Sequence, residues 1–211
     1  MDRRPVGMFC MPGLETGAAL VIDASVLINL LGCGATVEVL RLLPVAVLIE
    51  QRTLAEVLTD PGRNLPSREV RERLVQERHL HVRNLAGDAI ECFLELVLEP
   101  DGLDDGEAAT IACALDTGAT AVLDERKARR VVRERFPGLA LTSTAGLFRS
   151  LLEQRRMDDE RVRTLLLAAL QRARMSVPMD EIDWVIGLLG AELAEQCPSI
   201  RRSAIRRFFE R

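Results

Sequence analysis

Tyrosine is absent from the 211 residues, tryptophan and lysine each occur once, and aromatic residues make up only 3%. Long apolar runs are missing too. Asp23 divides the apolar segment Gly17 to Gly34, so nothing reaches the roughly 18 residues of a membrane-spanning helix, and a membrane protein is excluded. Arg3 and Arg4 precede apolar residues, but Glu15 and Asp23 fall where an export signal needs an uncharged core; a cytoplasmic chain is expected. Closely spaced cysteine pairs are lacking. Cys10, Cys33, Cys92, Cys113 and Cys197 are odd in number and scattered, which excludes a disulfide framework and a zinc knuckle and leaves reduced, mostly buried thiols. His79 and His81 have no partner at a spacing that completes a metal site, so ordinary exposed histidines are expected. The near absence of lysine, Lys127 alone, is read as a bias of genomic base composition rather than as function.

What is present is the mixture of a globular chain, 48% hydrophobic and 28% charged, far from the limits of disorder or collagen. Its length favours one compact domain with an appendage. The net charge of −4 hides a polarity: residues 1–125 carry 10 basic and 21 acidic side chains, residues 126–211 carry 18 and 11. An acidic site beside a basic surface suits metal ions next to a polyanion, although surface helices of an arginine-rich chain give the same pattern.

After a leader over residues 1–17, Ala18 to Asp23 reads as a buried strand ending in a carboxylate, followed by a helix from Ala24 to Leu31. Thr36 to Leu43 is a second helix broken by Pro44, and Val45 to Ile49 a second strand. Thr53 to Leu58 begins a helix, Asp60-Pro-Gly is a turn, Arg63 to Ser67 a polar loop, Arg68 to Glu77 a helix and Leu80 to Val82 a short strand. Asp88 is placed as the cap of a helix ending near Leu98. Asp104 to Leu115 is a buried helix with an acidic entrance, stopped by Gly118. Ala119 to Leu123 is a strand ending in Asp124 and Glu125, Arg126 to Phe136 a basic helix, and Leu139 to Thr142 a last strand. Beyond it only helices are expected, over 145–156, 158–174, 180–196 and 199–211. This alternation implies an α/β fold on a mostly parallel sheet over residues 18–150, with a C-terminal helical extension over 151–211.

In such a sheet ligands collect at the carboxyl ends of the strands, and two strands deliver carboxylates there, Asp23 and the pair Asp124/Glu125. Glu107 at a helix start and Glu56 after the second strand leave the same edge. Four converging carboxylates do not all stay ionised without a cation, and hard oxygen ligands select Mg2+ or Mn2+. That set suits phosphodiester hydrolysis. Taken singly the acids have plainer explanations: Asp104 or Asp105 as a helix cap, Glu107 as a partner of the helix dipole, Glu56 as a solvated surface group. Asp23, closing an apolar strand, resists such an explanation best.

The segments Val21-Ile-Asp-Ala-Ser-Val-Leu-Ile-Asn29, Leu54-Ala-Glu-Val-Leu58, Leu103-Asp-Asp-Gly-Glu-Ala-Ala-Thr-Ile-Ala112 and Val122-Leu-Asp-Glu-Arg-Lys-Ala-Arg129 resemble, in order and spacing, the successive motifs of the PIN-domain nucleases. With Thr142-Ser-Thr-Ala-Gly-Leu147 they resemble one prokaryotic branch of that family, within its toxin superfamily. The resemblance implies a three-layer α/β/α fold and a metal-dependent endoribonuclease using Mg2+ or Mn2+ on RNA. It makes Asp23 the first acid, oriented by Ser25, Glu56 the second, Glu107 the third, and Asp124 or Glu125 the fourth, with Asp104 as a further ligand or outer contact. It also implies a toxin blocked by a cognate antitoxin protein, and a homodimer is a further expectation. Two departures stand out: glutamate at 107 where many relatives have aspartate, and Asp23-Ala-Ser in place of Asp-Thr-Asn.

The basic run Arg126, Lys127, Arg129, Arg130 and Arg133 is expected to meet RNA phosphates, with internal pairing of Arg129 as the alternative. Ser143 and Thr144 read equally as a helix cap and as a phosphate nest. Phe208 and Phe209, among arginines, are expected to pack on a partner or on the domain itself. Two other functions stay open: a catalytically weak nucleic-acid-binding protein acting through a partner, and a small-ester phosphohydrolase, whose Asp-x-Asp signature Asp23-Ala24-Ser25 lacks.

Overall fold

The computed structural model describes residues 19–210; the expected leader and Cys10 lie outside them. The chain runs β1 (Leu20–Ile22), α1 (Ala24–Cys33), α2 (Thr36–Leu42), β2 (Val47–Glu50) and α3 (Gln51–Glu56). A small hairpin of β3 (Thr59–Asp60) and β4 (Leu65–Pro66) precedes α4 (Arg68–Gln76), β5 (His81–Arg83) and α5 (Asp88–Leu98). Then come α6 (Asp105–Thr117), β6 (Thr120–Val122), α7 (Arg126–Arg135), β7 (Leu141–Thr142) and α8 (Thr144–Glu153). Four α-helices follow: α9 (Asp159–Ala168), α10 (Ile182–Leu189), α11 (Ala191–Glu195) and α12 (Arg202–Phe209).

The main sheet has the order β5-β2-β1-β6-β7, and every neighbouring pair is parallel. Its strands are short, and the three central ones, β2, β1 and β6, are buried throughout, as parallel strands covered by helices must be, whereas the edge strand β5 exposes His81 and Arg83. The period of two then divides the interior. Leu20, Ile22, Val47, Ile49 and Val122 enter a core with α1 and the C-terminal helices, whereas Val21, Leu48 and Ala121 enter a second core with α5, α6 and α7. The result is a three-layer α/β/α arrangement, as expected. From β1 the chain builds outward to β2 and β5, then returns to place β6 on the other side of β1, so the order reverses between β1 and β6.

Local differences from the sequence reading have local causes. The helix expected from Thr53 starts at Gln51, because the Glu50 carboxylate accepts from Arg52 N at 2.5 Å and Thr53 N at 3.2 Å. Gly87, not Asp88, occupies the cap position of α5. The turn and polar loop at 60–67 close into the β3–β4 hairpin. The helix expected to reach Arg174 changes to a π-helical turn over Ala169–Ala173. That expected over 180–196 breaks at Gly190, whose φ of 78° no α-helix continues through.

Residues 159–209 share the core of α1. Val162, Leu165, Leu166, Ile182, Val185, Ile186 and Ile205 are all buried with Leu27 and Leu30. In α12, Ile205 is buried and Phe208 is half-buried in the same core, so the tail packs on its own chain, leaving Phe209 55% exposed. Deleting residues 199–211 removes Ile200, Ile205 and Phe208 from that core, and each buried side chain of this size is worth about 1.5–3 kcal/mol. The truncated chain is expected to melt roughly 6 °C lower or more. An unchanged melting temperature by calorimetry would contradict this packing.

Candidate metal centre

Each parallel strand that meets the reversal point hands its carboxyl end to a helix whose first amides need acceptors. The acids do this work. Asp23 caps α1: its Oδ2 accepts from Ser25 N at 3.2 Å and from Ser25 Oγ at 2.6 Å. Glu50, buried at the end of β2, caps α3. Glu125, exposed, caps α7 by accepting from the amides of Lys127 and, at 3.0 Å, Ala128. Acidic caps of this kind are favoured by the helix dipole, and they also gather negative charge at one edge.

Asp23 and Glu107 are buried there. Burial pushes the Glu107 carboxyl up to about 7, and the charges of Glu125, Asp23 and Asp104 add to the rise. The backbone N–H of Asp104, bonded to this carboxylate, acts in the opposite direction. Glu56 is exposed, so the solvated alternative describes its setting, yet its carboxyl is raised, by partial desolvation first and then by Asp23, Asp105, Asp104 and Glu50. Its carboxylate lies over the first turn of α6: a methyl group at Gly106 would stand 2.6 Å from Glu56 Oε2. Only glycine lets the two approach. Asp23, Glu56, Glu107, Asp104 and Glu125 therefore form one electrostatic cluster, with Glu50 on its border.

Asp124 stands apart. It is buried, and both oxygens are engaged: Oδ1 accepts from Thr144 N at 2.8 Å, Oδ2 from Thr144 Oγ1 at 2.5 Å and Asn29 Nδ2 at 2.8 Å. Burial pushes it up to about 6 against these bonds, helped by the charge of Glu181. Of the two candidates for the fourth acid, Glu125 is the one whose charge acts on Glu107, while Asp124 ties β6 to α1 and α8. The same bond fills the helix start read as a phosphate nest. Ser143 accepts from Gly146 N at 2.9 Å and donates to Glu181.

The basic run needs a correction. Arg129 is buried, donating to the carbonyls of Leu123 and Thr142 at 3.1 and 3.0 Å and pairing with Asp180 at 3.3 Å, so it is held inside rather than offered to RNA. The internal alternative applies, with Asp180 as the acid. Lys127 Nζ donates to Gly102 O at 2.5 Å and Arg133 pairs with Asp180 at 2.8 Å, whereas Arg126 and Arg130 are exposed. His79 is half-buried beside Glu77, at 3.3 Å, and His81 is exposed.

Glu50 was missed by the sequence reading, which ended the second strand at Ile49, although the apolar run closes on a carboxylate there just as at Asp23. Asn29 was missed as a partner of Asp124. The donor set, carboxylate oxygens that repel one another, matches the chemistry of a hard divalent cation. As placed, no three acidic, histidine or cysteine side chains among the described residues stand close enough together to hold one ion.

A family model described as a PIN domain matches residues 19–191. No curated protein and no solved structure matches the chain.

The folded chain binds its Glu107 proton up to about pH 7, whereas an unfolded glutamate releases it near 4.5. The native state therefore holds more protons between those values, and stability falls as pH rises through them. Asp124 acts with the same sign up to about 6. In buffer with a chelator the melting temperature should fall between pH 5 and pH 8, and Glu107→Gln should raise it at pH 8 by about 3 °C or more. An unchanged pH slope in Glu107→Gln would show that the carboxyl carries no such strain.

Proposed function

Because the chain belongs to the PIN-domain family, whose members are generally nucleases using divalent metal ions, we propose that it is a Mg2+- or Mn2+-dependent endoribonuclease acting on single-stranded RNA. The observation that carries this reading is the coupled acid cluster at the β1/β6 reversal, where Glu107 is pushed to about 7. Mutual repulsion of this kind is a standing demand for a cation.

Asp23, Glu56 and Glu107 are the acids that would have to draw together around the ion to hold it, with Asp104 and Glu125 on its border. A bound Mg2+ or Mn2+ supplies a water of lowered pKa as nucleophile and neutralises charge at the phosphate. Ser25 keeps Asp23 turned toward the cluster through the bond to Oδ2. Asp124 positions rather than ligates, because Asn29 and Thr144 occupy both its oxygens. Arg126 and Arg130, exposed one turn apart on α7, are the cations of the run left to meet the RNA backbone. Within this reading the chain acts in the cytoplasm as the toxin of a toxin–antitoxin pair, held by a cognate antitoxin.

Incubation with a single-stranded RNA oligonucleotide in manganese should give cleavage that a chelator stops. Asp23→Asn should lower the rate on the order of 100-fold or more, a scale reached even by loss of a group supporting a ligand. Arg126→Glu should weaken RNA binding while leaving metal affinity unchanged. Cleavage that survives the chelator and Asp23→Asn would remove the metal-dependent reading.

A further inference from the structure

The geometry points to a nucleobase subsite in the cavity at the carboxyl ends of β2 and β5, where one unstacked base of the RNA strand sits beside the scissile phosphate. This inference rests on the ribonuclease reading above and adds to it how the strand is gripped.

The cavity holds about 320 Å3, the small end of the range of roughly 300–1,000 Å3 for ligand sites. Its wall includes Glu50, Arg52, Asn84, Ile90, Phe93 and Leu94. Glu50 joins it to the acid cluster, since its charge helps to raise Glu56. The two sites share one edge of the sheet, with Glu50 ending β2 in the wall of one and Glu56, on the helix that follows, in the other.

The lining is chosen for a flat group with polar edges. Arg52 follows the cap of α3, and its guanidinium carbon lies 5.2 Å from the centre of the Phe93 ring. Phe93 is buried and Arg52 exposed, so the ring fixes the guanidinium from below and leaves its outer side open. Ile90 and Leu94, one turn apart on α5, are 44% and 45% exposed beside it, an apolar surface that a soluble chain has reason to cover. Asn84, exposed just after β5, brings an amide that both donates and accepts. A phosphate would meet the Arg52 guanidinium, but also the Glu50 carboxylate that repels it, and it would leave Ile90 and Leu94 bare. A base stacks on the arginine plane, covers Ile90 and Leu94, and bonds through its edge to Asn84, which is how single-stranded RNA is commonly held.

The test is cleavage of one short RNA in manganese, with each base in turn replaced by an abasic nucleotide. One position flanking the cut should show kcat/KM reduced about tenfold, mainly through KM, the effect of one lost stack. Arg52→Ala should reduce kcat/KM for the intact RNA by a similar factor and be indifferent to the abasic change at that position. Arg52→Lys should behave like Arg52→Ala, because it keeps the charge and loses the plane. Unchanged melting temperatures would show that both variants are folded. A flat abasic scan, or a penalty that persists in Arg52→Ala, overturns the subsite while leaving the nuclease standing. If the scan is flat and Leu94→Glu alters the sedimentation of the protein, Ile90 and Leu94 belong to a protein contact instead. Absence of any RNA cleavage by the unsubstituted chain overturns the ribonuclease reading, and the subsite with it.

Discussion

The crowding of like charge at the carboxyl edge of the sheet is the constraint on which the rest of this structure depends. Three strands of a parallel sheet end beside one another, and the helices that follow them need acceptors for their first amides. Asp23, Glu50 and Glu125 satisfy those amides with carboxylates. Each cap is locally stabilising, and their sum is repulsion, concentrated where the buried Glu107 enters from α6. A fold that needed only caps has serine or threonine available, as Ser143 shows at α8. Acids at three such positions add charge that capping does not need.

The neighbouring ties hold this edge in place without joining it. Asp124 is bound to Asn29 on α1 and to Thr144 on α8, so the helices flanking the reversal point are pinned to β6. Arg129 reaches from α7 to the carbonyl ends of β6 and β7 and on to Asp180. An arginine so placed satisfies the Leu123 carbonyl, adds a second donor to the Thr142 carbonyl that already accepts from Leu123 N, and anchors the segment before α10. Gly106 lets Glu56 approach α6 where any side chain would displace it. These contacts are made by the same helices and strand ends that carry the acids, so the packing of the fold and the acid edge are one construction.

Much of this was legible in the sequence because its signals are local. An apolar strand that stops at a charge, Leu20 to Asp23, announces both the strand and the edge it points to. The Asp-Asp-Gly-Glu entrance to α6 announces an acidic helix start. What was not legible depended on distant residues. Arg129 reads as part of a solvated basic run, and its acid partner lies 51 residues away in the turn before α10. The partners of Asp124 are 95 and 20 residues away. Glu50 was within reach, one residue past the end assigned to its strand. The C-terminal helices read as an extension because their apolar faces carry no sign of which surface they cover, and that surface is α1 and its surroundings.

If the acid cluster is strained by its own charge, a divalent cation should relieve it. Calorimetric titration of Mn2+ into the protein at pH 7, repeated in buffers of different ionisation enthalpy, counts the protons released on binding. Binding at millimolar concentration or tighter is predicted, with a fraction of a proton released at pH 7 and that release lost in Glu107→Gln, as a carboxyl near 7 requires. No binding, or heats that do not depend on the buffer, would contradict the account.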